Sequence, residues 1–444
     1  MALRDSGTSA GRDEAGLVGT EPRDLDLRPA SGSGSVQVQP GRWRRRARAA
    51  VARADHPGVT ALIMLTATTG FVLARWDLWS QRTISRFILI GQHFAHPAQL
   101  PPGMPLRPAY GYDGQFFYRL AINPLNFSHT AYGITVDRAY RFMRVGYPAL
   151  TWVFSFGQRA LVPYMLVAVN VAALTALAAL GAVIARQGGR HAAWGLLLPA
   201  YFGLVTSLSR DTAEPVAAAF LVAGLLAIRA RRPVLAGSLL AFAALTRETA
   251  MVAVAALAAV RLAGLIRGRH RPGREDVAWV LPAAVFAAWQ VLIYAAAGTF
   301  PLLADGGRNA GAPFIAPVEA FRTNLSQIDW SSYSPADLWL AEMAVLLLFA
   351  VAALSSLRTS RAPVHERLAL ILFLFEICLV TPDTWSSRSA DLRSFVEVYL
   401  MAVIVLLGRP RQRISRAGGW LLPAAAVGLA PVLGDIVSLR LHWA

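Results

Sequence analysis

The chain has 444 residues, 55% of them hydrophobic and only 16% charged, with a mean hydropathy of +0.44. That much apolar surface excludes an ordinary soluble domain and predicts an all-α, polytopic integral membrane protein. The formal net charge is +17 and every one of the 43 basic residues is arginine; these arginines gather at the ends of apolar runs, which is the positive-inside pattern and speaks against nucleic acid as a partner.

Residues 1–40 are rich in Gly, Ser, Asp, Glu and Arg with no apolar period, so the segment 1–57 reads as a disordered basic tail. No secretory signal peptide is expected, because the first apolar run comes too late. The basic block at 41–48 should bind anionic headgroups and hold the N-terminus in the cytoplasm. From residue 58 onward the chain reads as one multi-span membrane domain. Spans are expected at 58–76, 161–184, 192–208, 212–228, 233–245, 249–266, 277–298, 336–357, 368–381, 395–408 and 418–437. The weakest is 233–245. Ser334, Pro335 and Asp337 form a good helix start for the span at 336–357.

Arginine counting orients these eleven spans. Alternate connections hold 23 arginines on one side and, leaving out the long first loop, seven on the other: Arg210, Arg247, Arg308, Arg322, Arg388, Arg393 and Arg440. The richer side is cytoplasmic. The run 146–157 is then too short to cross and lies at the outer interface or re-enters it, inside a first outer loop of about 77–160. Trp76, Trp79 and Trp443 fit an aromatic belt. The arginine-for-lysine, alanine-rich composition is associated with high-GC bacteria, so the expected location is a bacterial cytoplasmic membrane.

This orientation, fixed without the acids, gathers the unusual charges on the outer face. The first outer loop carries Asp113, Arg119, Asp137, Arg138, Arg141 and Arg144; tight outer turns carry Arg210, Asp211 and Glu214, and Arg247 and Glu248; later loops carry Glu319, Arg322, Arg388 and Arg393. Asp113 sits between two glycines with aromatics on both sides, from Tyr110 to Tyr118. On local sequence alone a plain interfacial turn accounts for that stretch. Arg247 and Glu248, almost inside the hydrocarbon, either pair to fix helix packing or line a wet cavity. For Arg308, Glu319 and Arg322 a solvated loop surface is expected. Phe116, Phe117 and Tyr118 are expected to pack the loop against the membrane. His93 and His96 have an i, i+3 spacing a metal could use, but Pro97 follows and an interfacial loop is the expectation. Glu376, inside a span, is either structural or lines a lipid groove. The single cysteine, Cys378, cannot make an intrachain disulfide.

An outer-face acid beside arginines suits transfer from a lipid phosphosugar. Guanidinium groups pair with phosphate, a carboxylate can act as base on an acceptor hydroxyl, and phosphate leaves without a general acid. A transporter or flippase of a lipid-linked saccharide would use the same arginines without a base, and a non-catalytic scaffold of envelope assembly would need neither. The long-loop position of the acid and the lack of an internal repeat favour the enzyme.

Four stretches carry a resemblance: Tyr112-Asp113-Gly114-Gln115-Phe116-Phe117-Tyr118 running on to Ala121 and Pro124; Tyr140 to Pro148; Ser209 to Pro215; and Leu245 to Thr249. In this order and on one face they resemble the mannosyltransferase-like branch of the GT-C superfamily, multi-span glycosyltransferases whose first outer loop holds a catalytic acid and whose donors are polyprenyl-phosphate sugars. The resemblance covers about 58–440 in layout but only these stretches in motif. It implies Asp113 as general base in an inverting transfer of a mannose-like hexose, or next an arabinofuranose-like pentose, to a lipid or glycan acceptor. It implies Arg141, Arg144 and Arg247 at the donor phosphate, Asp211, Glu214 and Glu248 orienting them or the sugar, and Gln115 and Tyr118 beside the substrate. No Asp-x-Asp follows the first span, so a divalent metal is not expected, and no cofactor is called for.

Overall fold

A computed structural model describes residues 53–269, 271–303, 311–328, 335–386 and 391–409. The N-terminal basic block, the cap at Ser334, Arg308, Arg388, Arg440, Trp443 and the expected span 418–437 lie outside the described residues.

The described chain is mostly helical. Among the described residues three helices are long and apolar enough to cross a membrane: α1 (Pro57–Leu78), α4 (Val162–Gln187, with the turn before it) and α9 (Val277–Ala297, with the turn before it). Between them run α5 (Phe202–Ser209), α6 (Glu214–Arg229), α7 (Pro233–Thr246) and α8 (Ala250–Ile266); then come α10 (Ile315–Ser326), α11 (Pro335–Leu354), α12 (Val364–Leu379), α13 (Pro382–Ser386) and α14 (Val396–Leu407). At 1.5 Å per residue several of these are shorter than a ~30 Å hydrocarbon core. The span expected at 192–208 is not one helix. A 3-10 turn, Ala192–Leu197, is followed by a break and then α5. Pro199 falls in the break; it has no N–H to continue the ladder, so the helix stops there although the backbone at Leu198 is still helical (φ −62°, ψ −51°).

Packing follows side-chain size. Alanine-rich α6, α7 and α8 approach closely, α6 against α7 and α4, and α7 against α9. Every residue of α14 is buried, so it has no polar face and stands in the middle, against α11 and α12. Its C-terminal carbonyls are closed by Arg190, which donates to Leu406, Leu407 and Arg409 at 3.3, 3.1 and 2.8 Å. By contrast α1 and α9 leave most of their apolar side chains uncovered, as a bilayer rather than water would allow.

The segment between α1 and α4 is a small folded unit. Strand β1 (Ile90–Gly91) pairs in parallel with β2 (Leu106–Arg107), and β3 (Thr130–Ala131) with β4 (Ile134–Thr135) antiparallel. Two short helices, α2 (Gly114–Ile122) and α3 (Gly146–Phe154), pack on each other. Nine residues of α3 rise about 13 Å, too little to cross a bilayer. Phe116, Phe117, Tyr118 and Leu120 are buried inside this unit rather than turned outward. Each such ring or side chain contributes about 1.5–3 kcal/mol on leaving water. Arg119 is fully buried here too; it donates to the carbonyls of Asn126, at 3.3 Å, and Ser128, closing the loop that follows α2.

Candidate functional site

Asp113 precedes the first turn of α2 but does not cap it; its own backbone is already helical (φ −60°, ψ −25°). The helix can begin there because Gly114 has no side chain. A Cβ at that position would stand 2.4 Å from the Arg210 carbonyl oxygen and 2.7 Å from that of Ile88. Gln115 ties the same stretch down: its Oε1 accepts from Gly91 N–H at 3.0 Å and its Nε2 donates to the Tyr110 carbonyl at 2.9 Å. The Asp113 carboxylate is thereby left pointing away from the helix, toward arginines from elsewhere.

Those arginines form two tiers. The upper tier reaches solvent. Asp113, with 27% of its side chain exposed, accepts from Arg141 Nη1 at 2.9 Å; Arg141 also holds Asp137 and lies over the Phe116 ring, 3.5 Å from its centroid. Beside them Arg144 makes a two-pronged pair with Glu248, Nε to Oε2 at 2.9 Å and Nη2 to Oε1 at 2.7 Å. Tyr140 donates its hydroxyl to Glu248 and accepts from Arg144 at 2.8 Å. A 3-10 turn, Ala139–Met143, spaces these groups so that Arg141 reaches Asp113 while Tyr140 and Arg144 reach Glu248.

The lower tier is buried. Arg393 donates to Asp113 with Nη2 and to Glu214 with Nη1, the latter at 2.8 Å. Arg247 lies 3.6 Å from Glu214 and 3.5 Å from Glu397, and donates to the carbonyls of Arg393 and Ser394 at 3.1 and 3.2 Å. Thr249 donates to Glu397 at 2.6 Å. Charge therefore alternates from the surface inward: Asp137, Arg141, Asp113, Arg393, Glu214, Arg247, Glu397.

This alternation sets the protonation states. Burial pushes the Asp113 carboxyl up, but Arg393 and Arg141, with Arg144 beyond, more than offset it and hold the group well below the usual carboxylate range. Burial likewise raises Glu248, and Arg144 and the Tyr140 hydroxyl bring it down to about 2. Tyr140 is pushed up, first by burial and then by Glu248. Asp113 and Glu248 are thus fixed negative charges at neutral pH. The site can bind an anion through guanidinium groups and accept a hydrogen bond from a hydroxyl at Asp113.

Of the residues singled out from the sequence, Asp113, Arg141, Arg144 and Glu248 meet in the upper tier and Glu214 and Arg247 in the lower. Arg247 does not pair with its neighbour Glu248, whose partner is Arg144. Asp211 stands apart. It is fully buried at φ +50°, and neither carboxylate oxygen has a hydrogen-bond partner among the described residues. Gln115 and Tyr118 are not open to a substrate: the first has both ends of its amide engaged, and the second is fully buried with its hydroxyl 3.5 Å from Arg159 Nε. His93 and His96 turn to different neighbours, Tyr110 and Thr135. Among the described residues no three His, Cys, Asp or Glu side chains converge as metal ligands.

From sequence Arg393 falls on the expected outer face with no part in the site, Tyr140 opens one of the resembling stretches without a role, and Glu397 is not singled out. The available signal was an arginine and a glutamate four apart at the mouth of an otherwise apolar run, 396–407. No family model matches the chain, and no curated protein matches it.

Proposed function

We propose that this chain is a GT-C-type glycosyltransferase of a bacterial cytoplasmic membrane, with its site on the outer face. It transfers a mannose-like hexose from a polyprenyl-phosphate donor to a lipid or glycan acceptor. The observation that carries this reading is Asp113: a carboxylate outside the spanning helices, partly exposed, and gripped by guanidinium groups from two distant parts of the chain.

In this reading the acceptor hydroxyl donates its hydrogen bond to Asp113. Its oxygen attacks the anomeric carbon, the bond from that carbon to the phosphate oxygen breaks with inversion, and the proton passes to Asp113. The lipid phosphate leaves with the electron pair, stabilised by Arg141 and Arg144. Asp113 is a weak base because its arginines hold it ionised, so proton transfer comes late, as the new bond forms and the hydroxyl becomes acidic. Arg247, buried under Arg393, is a positioning residue: its bonds to the backbone at 393 and 394 hold Arg393 beneath Asp113.

The test is the purified full-length chain with a panel of radiolabelled polyprenyl-phosphate sugars. At least one sugar should be transferred, and Asp113→Asn should bind the donor while losing about 10²–10⁴-fold in rate. Near-normal turnover by Asp113→Asn removes the base. Movement of the lipid-linked sugar across vesicles without transfer replaces the enzyme by a flippase.

A further inference from the structure

The loop before α10 and the helix itself build a recess that shares no residue with the Asp113 site. It has a volume of about 790 Å³, within the roughly 300–1,000 Å³ range of ligand sites, and is lined by Phe314, Ile315, Val318, Glu319, Arg322 and neighbours. One wall is apolar. Phe314, Ile315 and Val318 are each more than half exposed. Phe314 is held in the left-handed region at φ +66°, a strained place for an aromatic residue. The backbone there is pinned, since Gly311 and Phe314 donate their N–H groups to the carbonyls of Leu379 and Cys378 at the end of α12, at 2.7 and 2.9 Å. The same helix face carries two opposite charges. Glu319 and Arg322 are three apart on one helix, some 5–6 Å between Cβ atoms, yet they form no ion pair with each other or with any other described residue.

An exposed glutamate and arginine at this spacing gain only about 0.2–0.5 kcal/mol by closing on each other, so both charges stay available to a ligand. Here they stand apart beside a strip of uncovered apolar side chains. The complement of that arrangement is a molecule with an anion and a cation a few ångströms apart, joined to a hydrocarbon chain. A phospholipid with a phosphate and a primary ammonium has that charge order, and the other face of α10 is already occupied: Ala316 and Ala320 are buried, and Phe321 meets Trp339 at 5.1 Å.

We infer that this groove binds a zwitterionic aminophospholipid of the phosphatidylethanolamine type, phosphate on Arg322, ammonium on Glu319 and upper acyl chain along Phe314, Ile315 and Val318. A headgroup whose nitrogen is fully methylated cannot donate hydrogen bonds to Glu319, and a glycerol headgroup offers it neutral hydroxyls in place of a cation, leaving the Glu319 charge unbalanced. The groove therefore discriminates among bilayer lipids and fastens the outer loop to the lipid surface. The inference is independent of the proposed transfer reaction.

The experiment reconstitutes the full-length chain in nanodiscs of equal phosphatidylethanolamine, phosphatidylcholine and phosphatidylglycerol and counts the lipids retained on release by native mass spectrometry. Phosphatidylethanolamine should be retained preferentially. Arg322→Ala should lower its retention about tenfold, as loss of one charge-assisted contact implies. Glu319→Gln should abolish the preference over phosphatidylglycerol while leaving total retention near normal. Both side chains are exposed, so neither change threatens the fold. Equal retention of the three lipids by the unaltered chain, or unchanged retention in Arg322→Ala, overturns the assignment. So does displacement of phosphatidylethanolamine from the groove by added polyprenyl phosphate.

Discussion

Arg393 and Asp113 stand 280 positions apart and share a charge-assisted hydrogen bond, with the same guanidinium reaching Glu214 on its other side. One side chain thus joins the segment between α1 and α4, the start of α6 and the approach to α14. Removing it takes one of two guanidinium partners from buried Glu214, which keeps Arg247 at 3.6 Å and the Ser207 hydroxyl at 3.0 Å. Arg393→Ala should lower stability by about 3–5 kcal/mol, the usual result of removing one partner from a buried ion pair. The double change Arg393→Met with Glu214→Leu should recover much of that loss. Thermal unfolding in detergent reads both, and an unshifted midpoint for Arg393→Ala would refute the linkage.

The carboxylates of the upper tier make an acid-side prediction. Asp113 and Glu248 both have folded values below the ~4 of an unfolded chain, so each stabilises the fold above that pH and loses its contribution as pH falls through its folded value, about 2 for Glu248. Glu248→Gln should therefore be clearly less stable than the unaltered chain at pH 6. The gap should narrow steadily between about pH 4.5 and 2. A gap that stays constant on acidification would show that the charge of Glu248 is not what Arg144 holds.

Asp211 works in the opposite sense. Burial, only partly countered by Arg75, pushes its carboxyl well above the usual range. An acid whose folded value is raised costs stability as pH rises above its unfolded value near 4. Asp211→Asn should raise the unfolding midpoint, and more at pH 8 than at pH 5, by an amount on the order of 1–3 kcal/mol for a buried unsatisfied group. Loss of stability in this variant at both pH values would mean that the carboxylate has a partner.

Topology is checked with single cysteines in a Cys378→Ser background. Tyr110→Cys, at a site 64% exposed, should react with an impermeant maleimide on intact cells, and Gly268→Cys only after lysis. The reverse pattern would move the Asp113 site to the cytoplasm.

Much of the helical layout is legible in the sequence, because length and apolar run set each helix end within a few residues. The helices α1, α4, α7, α8 and α9 begin and end close to the expected 58–76, 161–184, 233–245, 249–266 and 277–298. What the apolar pattern does not encode is where one helix stops being continuous, as at Pro199, or which distant helices meet. Asp113 with Arg141, and Arg144 with Glu248, could be suspected from a shared face. Arg393 could not be paired with Asp113, since nothing local says that α14 stands at the centre. The resemblance puts Gln115 and Tyr118 beside the substrate, whereas the structure buries both. A helix turns successive side chains through about 100°, so neighbours of an exposed acid can lie deep in the protein.

The order of synthesis gives the Arg393 contact a further meaning. Asp113, Arg141 and Glu248 leave the ribosome long before the residues that complete their surroundings. Until the segment at 393–397 arrives, Glu214 and Arg247 lack their remaining partners, and Asp113 has half of its counter-charge. A prematurely terminated chain can therefore insert its early helices and still lack an assembled centre. Competence is conferred late, by the part of the polypeptide that a truncated product would be missing.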